Sequence, residues 1–182
     1  MRITKTTTKV GDKGMTSLGD GTKVPKNSLR IIAIGLLDEV NARVGFAKVK
    51  SPNKMVEKWL IEVQNNLFNL GGELALGENA KPIFPVKKVA EIELSIEKLN
   101  SQLPHLKDFI LPGGDEFCSR LHLARTAIRQ AEIAIITLKE NASIRDCLQI
   151  YLNRLSDYFF VLARFHSLEN KLPEFEWKHQ KS

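Results

Sequence analysis

The sequence has only two cysteines, Cys118 and Cys147, among its 182 residues, and they fall in separate segments of helical pattern. Two unclustered cysteines do not make a disulfide framework and read as buried, reduced thiols. No C-x-x-C, H-E-x-x-H or comparable ligand spacing occurs, so a zinc site is not expected. Long apolar runs are missing too, since no stretch approaches the roughly 18 uninterrupted apolar residues of a membrane span. Met1 to Val10 is polar and threonine-rich with no apolar run behind it, unlike a secretory signal or an anchor, and a cytosolic protein is expected. Internal repeats and low-complexity tracts are absent.

What is present is a 43% hydrophobic chain, long enough to bury one sizeable core and read as a single domain over 1–182. Its formal charge of +6 suits a polyanionic partner, and nucleic acid, an anionic membrane and a nucleoside triphosphate all qualify. The positive charge is scattered and the aromatic residues sit mostly at core spacing, which ranks nucleic acid lowest.

Beyond residues 1–27 the pattern turns helical. Leu29, Ile32, Ala33, Leu36, Leu37, Val40 and Val44 recur at three- and four-residue steps. A second helix follows Pro52, with Met55, Trp59, Leu60, Val63, Leu67 and Leu70 as its apolar face, and fades near Leu76. Gly77 to Pro85 reads as a loop. A third helix runs from about Val86 to Gln102 on Val89, Ile92, Ile96 and Leu99. Leu103 to Asp115 is a second irregular connection. The fourth helix, Asp115 to Lys139, places Phe117, Leu121, Ala124, Ile128, Ala131 and Ile135 on one face, with Asp115 as its cap. The fifth, capped by Ser143, runs from Ile144 to about Lys171 on Cys147, Tyr151, Leu155, Tyr158, Leu162 and Phe165. The expected architecture is an all-α five-helix bundle over 28–171, with 172–182 as a tail.

Four segments carry chemistry. In Thr6 to Thr16, Gly11 and Gly14 let the backbone turn and aim amides inward, while Lys9, Lys13 and threonine hydroxyls add donors suited to phosphate oxygens. The segment lacks Walker spacing, and the same residues also read as a Gly-Asp surface turn. On the fourth helix His122, Arg125, Arg129 and Glu132 line one stripe, placed either to bind phosphate or carboxylate or to form an ordinary solvated face. On the fifth, Asn153 and Asp157 share a face, suited to a nucleotide edge or to a helix–helix hydrogen bond. Phe109 to Gly114 is an apolar loop tip, free to meet a large flat ligand or to tuck into the core.

Together these pieces resemble the PduO-type ATP:cob(I)alamin adenosyltransferases. The matches run in order: Thr8-Lys9-x-Gly11-Asp12-Lys13-Gly14-x-Thr16, Gly35-x-x-Asp38-Glu39-x-Asn41, Gln64-x-x-Leu67-Phe68-x-Leu70-Gly71, Phe109 through Gly114, and Tyr151 through Asp157. Ala124-Arg125-Thr126 and Arg129-x-Ala131-Glu132 lie between the last two.

The resemblance implies a homotrimer with each active site between subunits. The N-terminal segment, 1–27, would wrap the triphosphate of ATP with Mg²⁺ through Thr8, Lys9, Gly11, Asp12, Gly14 and Thr16, with Lys26 and Arg30 nearby. Arg129, Glu132 and Asn153 would complete the nucleotide site from a neighbour, and Asp38 would pair with Arg125 across the interface. Phe109 would press on the lower face of a cob(I)alamin corrin. A corrinoid reductase and an adenosylcobalamin-dependent enzyme would be its functional partners. Arg129-Gln130-Ala131-Glu132-Ile133 departs from the Arg-Arg-Ala-Glu-Arg common in that family, and Ile32 to Gly35 lacks its usual acidic and tyrosine residues. On the first departure rests the alternative, a non-catalytic ATP/corrinoid-binding helical module. A helical interaction protein without a ligand is the third reading.

Overall fold

The computed structural model describes residues 9, 11–77 and 81–178. Among them lie five helices, α1 Leu29–Lys48, α2 Lys54–Ala75, α3 Lys87–Asn100, α4 Glu116–Lys139 and α5 Asp146–Glu169, preceded by two short strands, β1 Met15–Ser17 and β2 Lys23–Pro25. The strands pair antiparallel with Thr16 opposite Val24. This hairpin is absent from the sequence expectation because three-residue strands are too short to show an alternating pattern. Its turn is built locally: the Leu18 amide donates to Thr22 O at 2.8 Å, and the Asp20 carboxylate accepts from the Thr22 amide at 2.9 Å.

Two of the helices, α2 and α4, start where a side chain satisfies unpaired amides. Asn53 accepts from the amides of Met55 and Val56, each at 3.0 Å, and Asp115 accepts from that of Cys118 at 2.9 Å. The expected Ser143 cap does not form. Arg145 occupies the N-cap of α5 with extended backbone, because its side chain is committed to an ion pair that fixes where the chain turns.

α1 packs on α2 and α4, α4 on α5, and α3 on α5. The α4 stripe is buried as its periodicity predicts, and so are Leu60, Val63, Leu67 and Leu70 of α2 and Tyr151, Leu155, Tyr158 and Leu162 of α5. Each buried leucine, isoleucine, valine or phenylalanine among them contributes roughly 1.5–3 kcal/mol. The expectation fails at helix ends and outer faces: Met55 is 75% exposed, Ile32 43% and Leu29 39%. Met55 and Leu29 lie in the first turns of α2 and α1, where fewer neighbours cover an apolar side chain.

The end of the bundle nearest the hairpin is held by a buried ion pair. Glu73, only 8% exposed, meets Arg145 through two hydrogen bonds of 2.6 Å. It also accepts from the amides of Ile83 and Phe84, both at 3.0 Å. Arg145 in turn donates to Phe84 O at 2.8 Å. Burial alone would push the Glu73 carboxyl up, but Arg145 and the two amides outweigh it and hold it below the usual carboxylate range. One carboxylate therefore joins α2, the 81–85 loop and the start of α5.

The tail is not loose within the described residues. Leu111 N donates to Phe175 O at 2.8 Å and Trp177 N to Phe109 O at 2.7 Å, so residues 175–177 lie as a strand against the Phe109 loop. Arg164, 5% exposed, anchors both partners by binding Glu174 at 3.2 Å and Pro104 O at 3.0 Å.

His122 is buried beside the Phe160 ring. Burial, and then the charge of Arg125, lower its pKa to about 4. Two outcomes follow. Arg145→Ala strands a buried carboxylate and should cost about 3 kcal/mol in urea unfolding, whereas a loss below about 0.5 kcal/mol would mean the pair is dispensable. Because His122 takes up its proton more readily unfolded than folded, wild type should lose up to about 2–3 kcal/mol as pH falls from about 6.5 to 4. His122→Gln should lack that part of the decline, as unfolding midpoints across this window will show.

Candidate functional site

Local chain geometry shapes the N-terminal segment. Gly14 takes φ +79°, a left-handed value that a side chain would strain. Its amide donates to Gly11 O at 3.2 Å, and its carbonyl accepts from Lys26 N at 2.8 Å. A Cβ on Gly11 would stand 2.8 Å from both Cε and Nζ of Lys26. The missing side chain is what lets the Lys26 ammonium lie across the loop. Lys9, also left-handed at φ +59°, and Asp12 are exposed, while Thr16 is half-buried in β1. Thr8 lies outside the described residues.

The segment is footed on the C-terminal end of α2, where carbonyls have no helical partner. Gly19 N donates to Ala75 O at 2.7 Å, and Arg30 Nη1 donates to Leu74 O at 3.0 Å. Lys9, Gly11, Asp12, Gly14, Thr16, Lys26 and Arg30 thus share one end of the bundle. Their amides, ammonium groups and hydroxyl form a surface with little side-chain bulk, the kind of surface that receives phosphate oxygens.

A second cluster sits on α4 and α5. Asn153 Nδ2 donates to Glu132 Oε1 at 3.1 Å, and Arg154 donates to Asn153 Oδ1 while holding Glu93 at 2.9 Å. Both polar ends of Asn153 are thereby fixed. Arg125 is half-buried, and Arg129, one turn on, is exposed. Burial, and then the charge of Arg129, work against the charge on Arg125. Its Nε reaches His122 Nδ1 at 3.4 Å, and among the described ion pairs neither arginine meets a carboxylate. Two adjacent cations left without a counterion favour an anionic ligand.

Arg125 and Arg129 line a cleft of about 470 Å³ with Asp157, Phe160 and Arg164. The cleft lies between α4, α5, the end of α3 and the 103–106 stretch, and takes no residue from the N-terminal segment. Asp38 is exposed on α1 and forms no described ion pair with Arg125. Phe109 is 76% exposed and Leu111 53%, on the loop backed by the tail strand. A single chain therefore gathers the predicted residues into separate groups: the glycine loop with Lys26 and Arg30, the Arg125–Arg129–Glu132–Asn153 cluster, and the Phe109 tip, with Asp38 apart.

Sequence reasoning overlooked Arg164 and the tail strand. A signal for Arg164 was there, since Asp157, Phe160, Val161 and Arg164 recur at helical spacing on the cleft side of α5. Nothing in the tail's composition announced its pairing with the Phe109 loop, which runs through backbone hydrogen bonds from Leu111 to Phe175 and from Trp177 to Phe109.

The cobalamin adenosyltransferase family model matches residues 6–166 of the chain. A cobalamin adenosyltransferase from Cupriavidus metallidurans is 41% identical over 165 residues, spanning 90% of this chain and 88% of that protein. A corrinoid adenosyltransferase from Bacillus subtilis is 36% identical over 176 residues, spanning 94% and 91%. Among solved structures, a phenylalanine-to-alanine variant of the PduO-type ATP:corrinoid adenosyltransferase from Lactobacillus reuteri, complexed with cobalamin and ATP, superposes with a TM-score of 0.91 at 34% identity. The match covers 95% of this chain and 99% of that one. An arginine-to-lysine variant complexed with ATP superposes at 0.90 with 35% identity, over 95% of this chain and 100% of that one. With the helices, the glycine loop and the arginine pair in place, the chain belongs to the cobalamin adenosyltransferase family.

Proposed function

We propose that the chain is an ATP:corrinoid adenosyltransferase: it moves the 5′-deoxyadenosyl group of ATP onto cob(I)alamin, or a related Co(I) corrinoid, and releases triphosphate. The observation that carries this reading is the glycine loop with Lys26 laid over Gly11, in a chain that superposes over nearly its whole length on an adenosyltransferase holding cobalamin and ATP.

The reduced cobalt of the substrate is itself the nucleophile. Its electron pair forms the Co–C bond at the 5′ carbon as the C–O bond breaks, and triphosphate leaves with the electrons of the C–O bond. No proton has to move in this step, so positioning and charge balance are what the protein must supply. The residues at hand fit that demand. Lys9, Lys26 and the amides around Gly11 and Gly14 receive the triphosphate, with Thr8, Thr16 and Arg30 at the margin. Mg²⁺ takes most of its ligands from phosphate and water, and the exposed carboxylate of Asp12 suits that limited protein share. When bound, it neutralises charge on the leaving group.

Arg129, Glu132 and Asn153 hold the nucleotide from a neighbouring subunit, and Asp38 pairs with Arg125 across the interface. The separation of these groups within one chain, and the exposure of Ile32 and Phe68, support a homotrimer in which subunits share each site. Phe109 covers the lower corrin face and keeps water from cobalt. We place the enzyme in the cytoplasm, supplied by a corrinoid reductase and serving an adenosylcobalamin-dependent enzyme. The alternative, a non-catalytic binding module, is favoured by Gln130 and Ile133. Both are exposed, so their identity alters the surface and leaves Arg129, Glu132 and Asn153 in place.

Arg129→Ala should lower kcat/KM for ATP by about 10²–10³, and Phe109→Ala should lower kcat with little change in the KM for ATP. Steady-state kinetics will separate the two. For the shared site, Lys9→Ala/Lys26→Ala protein reassembled with Arg129→Ala protein should recover activity that neither has alone. Activity that stays at the sum of the parents would place the whole site within one chain.

A further inference from the structure

Asp115, Cys118 and His166 each present a ligand atom, and the three atoms lie within 4.8 Å of one another. None of them enters the adenosyl-transfer reading. Asp115 caps α4 and Cys118 lies in its first turn, while His166 comes from the last turn of α5, so the fold brings them together across 51 residues. His166 Nε2 stands 2.8 Å from Asp115 Oδ2, and Cys118 Sγ lies 3.4 Å from Ser167 Oγ and from Ala163 O. The approach is close enough to demand glycine beside it. Gly114 has φ +101°, and a Cβ there would meet Cys118 Cβ at 2.9 Å and Sγ at 3.2 Å.

We propose that these three residues form a site for a borderline-soft divalent cation, Zn²⁺ in particular. The donor set of one thiolate, one imidazole and one carboxylate matches zinc and not Mg²⁺, which takes oxygen almost alone. Tetrahedral zinc with bonds of about 2.0–2.3 Å needs ligand atoms about 3.3–3.7 Å apart. Reaching that spacing requires the carboxylate to withdraw slightly from the imidazole and the thiol to close in, both by rotation of side chains.

Burial and access also fit. Cys118 is 0% exposed and His166 9%, while the Asp115 side chain is 39% exposed. That leaves a route in from solvent and a place for water as fourth ligand. On binding, the thiol proton leaves to solvent as the sulfur–metal bond forms. His166 Nε2, which meets Asp115 as an N–H donor, gives up that proton as the ring shifts to the Nδ1–H tautomer, and the freed Nε2 lone pair binds the metal. Asn170, whose amide lies 3.3 Å from Nδ1, would then turn its oxygen to accept that proton, the outer support expected of a metal-bound imidazole. The ion would fasten the first turn of α4 to the end of α5, beside Gly114 at the base of the Phe109 loop.

The test uses the full chain, stripped with chelator and free of corrinoid, titrated with Co²⁺ as a spectroscopic stand-in for zinc. A thiolate-to-cobalt charge-transfer band in the near ultraviolet should saturate at one equivalent per chain and be bleached by Zn²⁺ but not by Mg²⁺. Cys118→Ser should abolish the band, His166→Gln should weaken it, and Cys147→Ser should keep it. Zn²⁺ should raise the melting temperature of wild type and Cys147→Ser, and leave that of Cys118→Ser unmoved. No band in wild type, or a band lost with Cys147 in place of Cys118, overturns the proposal, and neither result depends on whether Cys118→Ser folds.

Discussion

The Glu73–Arg145 pair is the constraint on which the rest of the arrangement stands. A carboxylate buried without partners would shift toward its neutral form, yet this one receives two bonds from the guanidinium and two from backbone amides. Holding all four donors at once fixes the last turns of α2 against the 81–85 loop and the start of α5. The glycine segment then docks on the same end of α2, through Gly19 to Ala75 and Arg30 to Leu74. The position of the glycine segment thus follows from a structural ion pair whose carboxylate sits one and two residues before the carbonyls that receive it.

The proposed chemistry asks for cations and amides more than for a general base. A Co(I) nucleophile brings its own electron pair, and triphosphate is a competent leaving group once its charge is balanced. His122 is buried, has its pKa lowered to about 4 by burial and then by Arg125, and receives a 3.4 Å contact from Arg125 Nε. The arginines themselves lack internal counterions among the described residues, which leaves their charge available to a ligand. The exposed Phe109 and Leu111 add an apolar surface suited to a flat macrocycle, and the tail strand behind them supplies stiffness.

Much of this was legible in the residues. Helical periodicity located all five helices, because long amphipathic segments repeat one signal many times, and the Asp115 cap was readable from a carboxylate just ahead of an apolar run. What stayed hidden depended on distant contacts. The start of α5 was read two residues early because Ser143 is a good cap by type, whereas Glu73 decides where Arg145 must sit. The hairpin and the tail strand escaped because short backbone pairings carry no periodic pattern. Met55 and Ile32 looked like core residues on spacing alone, and only the packing of neighbouring helices shows which edge of an apolar stripe is covered. The ordered motifs pointed to the family, but the convergence of Asp115, Cys118 and His166 has no spacing rule and appears only once α4 and α5 are paired.

The most direct measurement is a single-turnover reaction of the purified chain with ATP, Mg²⁺ and chemically reduced corrinoid, followed by absorbance and by phosphorus NMR. Adenosyl transfer requires the Co(I) spectrum to give way to that of an alkylated corrinoid, with one intact triphosphate formed for each Co–C bond. ATP bound with the Co(I) spectrum unchanged, or ADP and phosphate released in place of triphosphate, would contradict it.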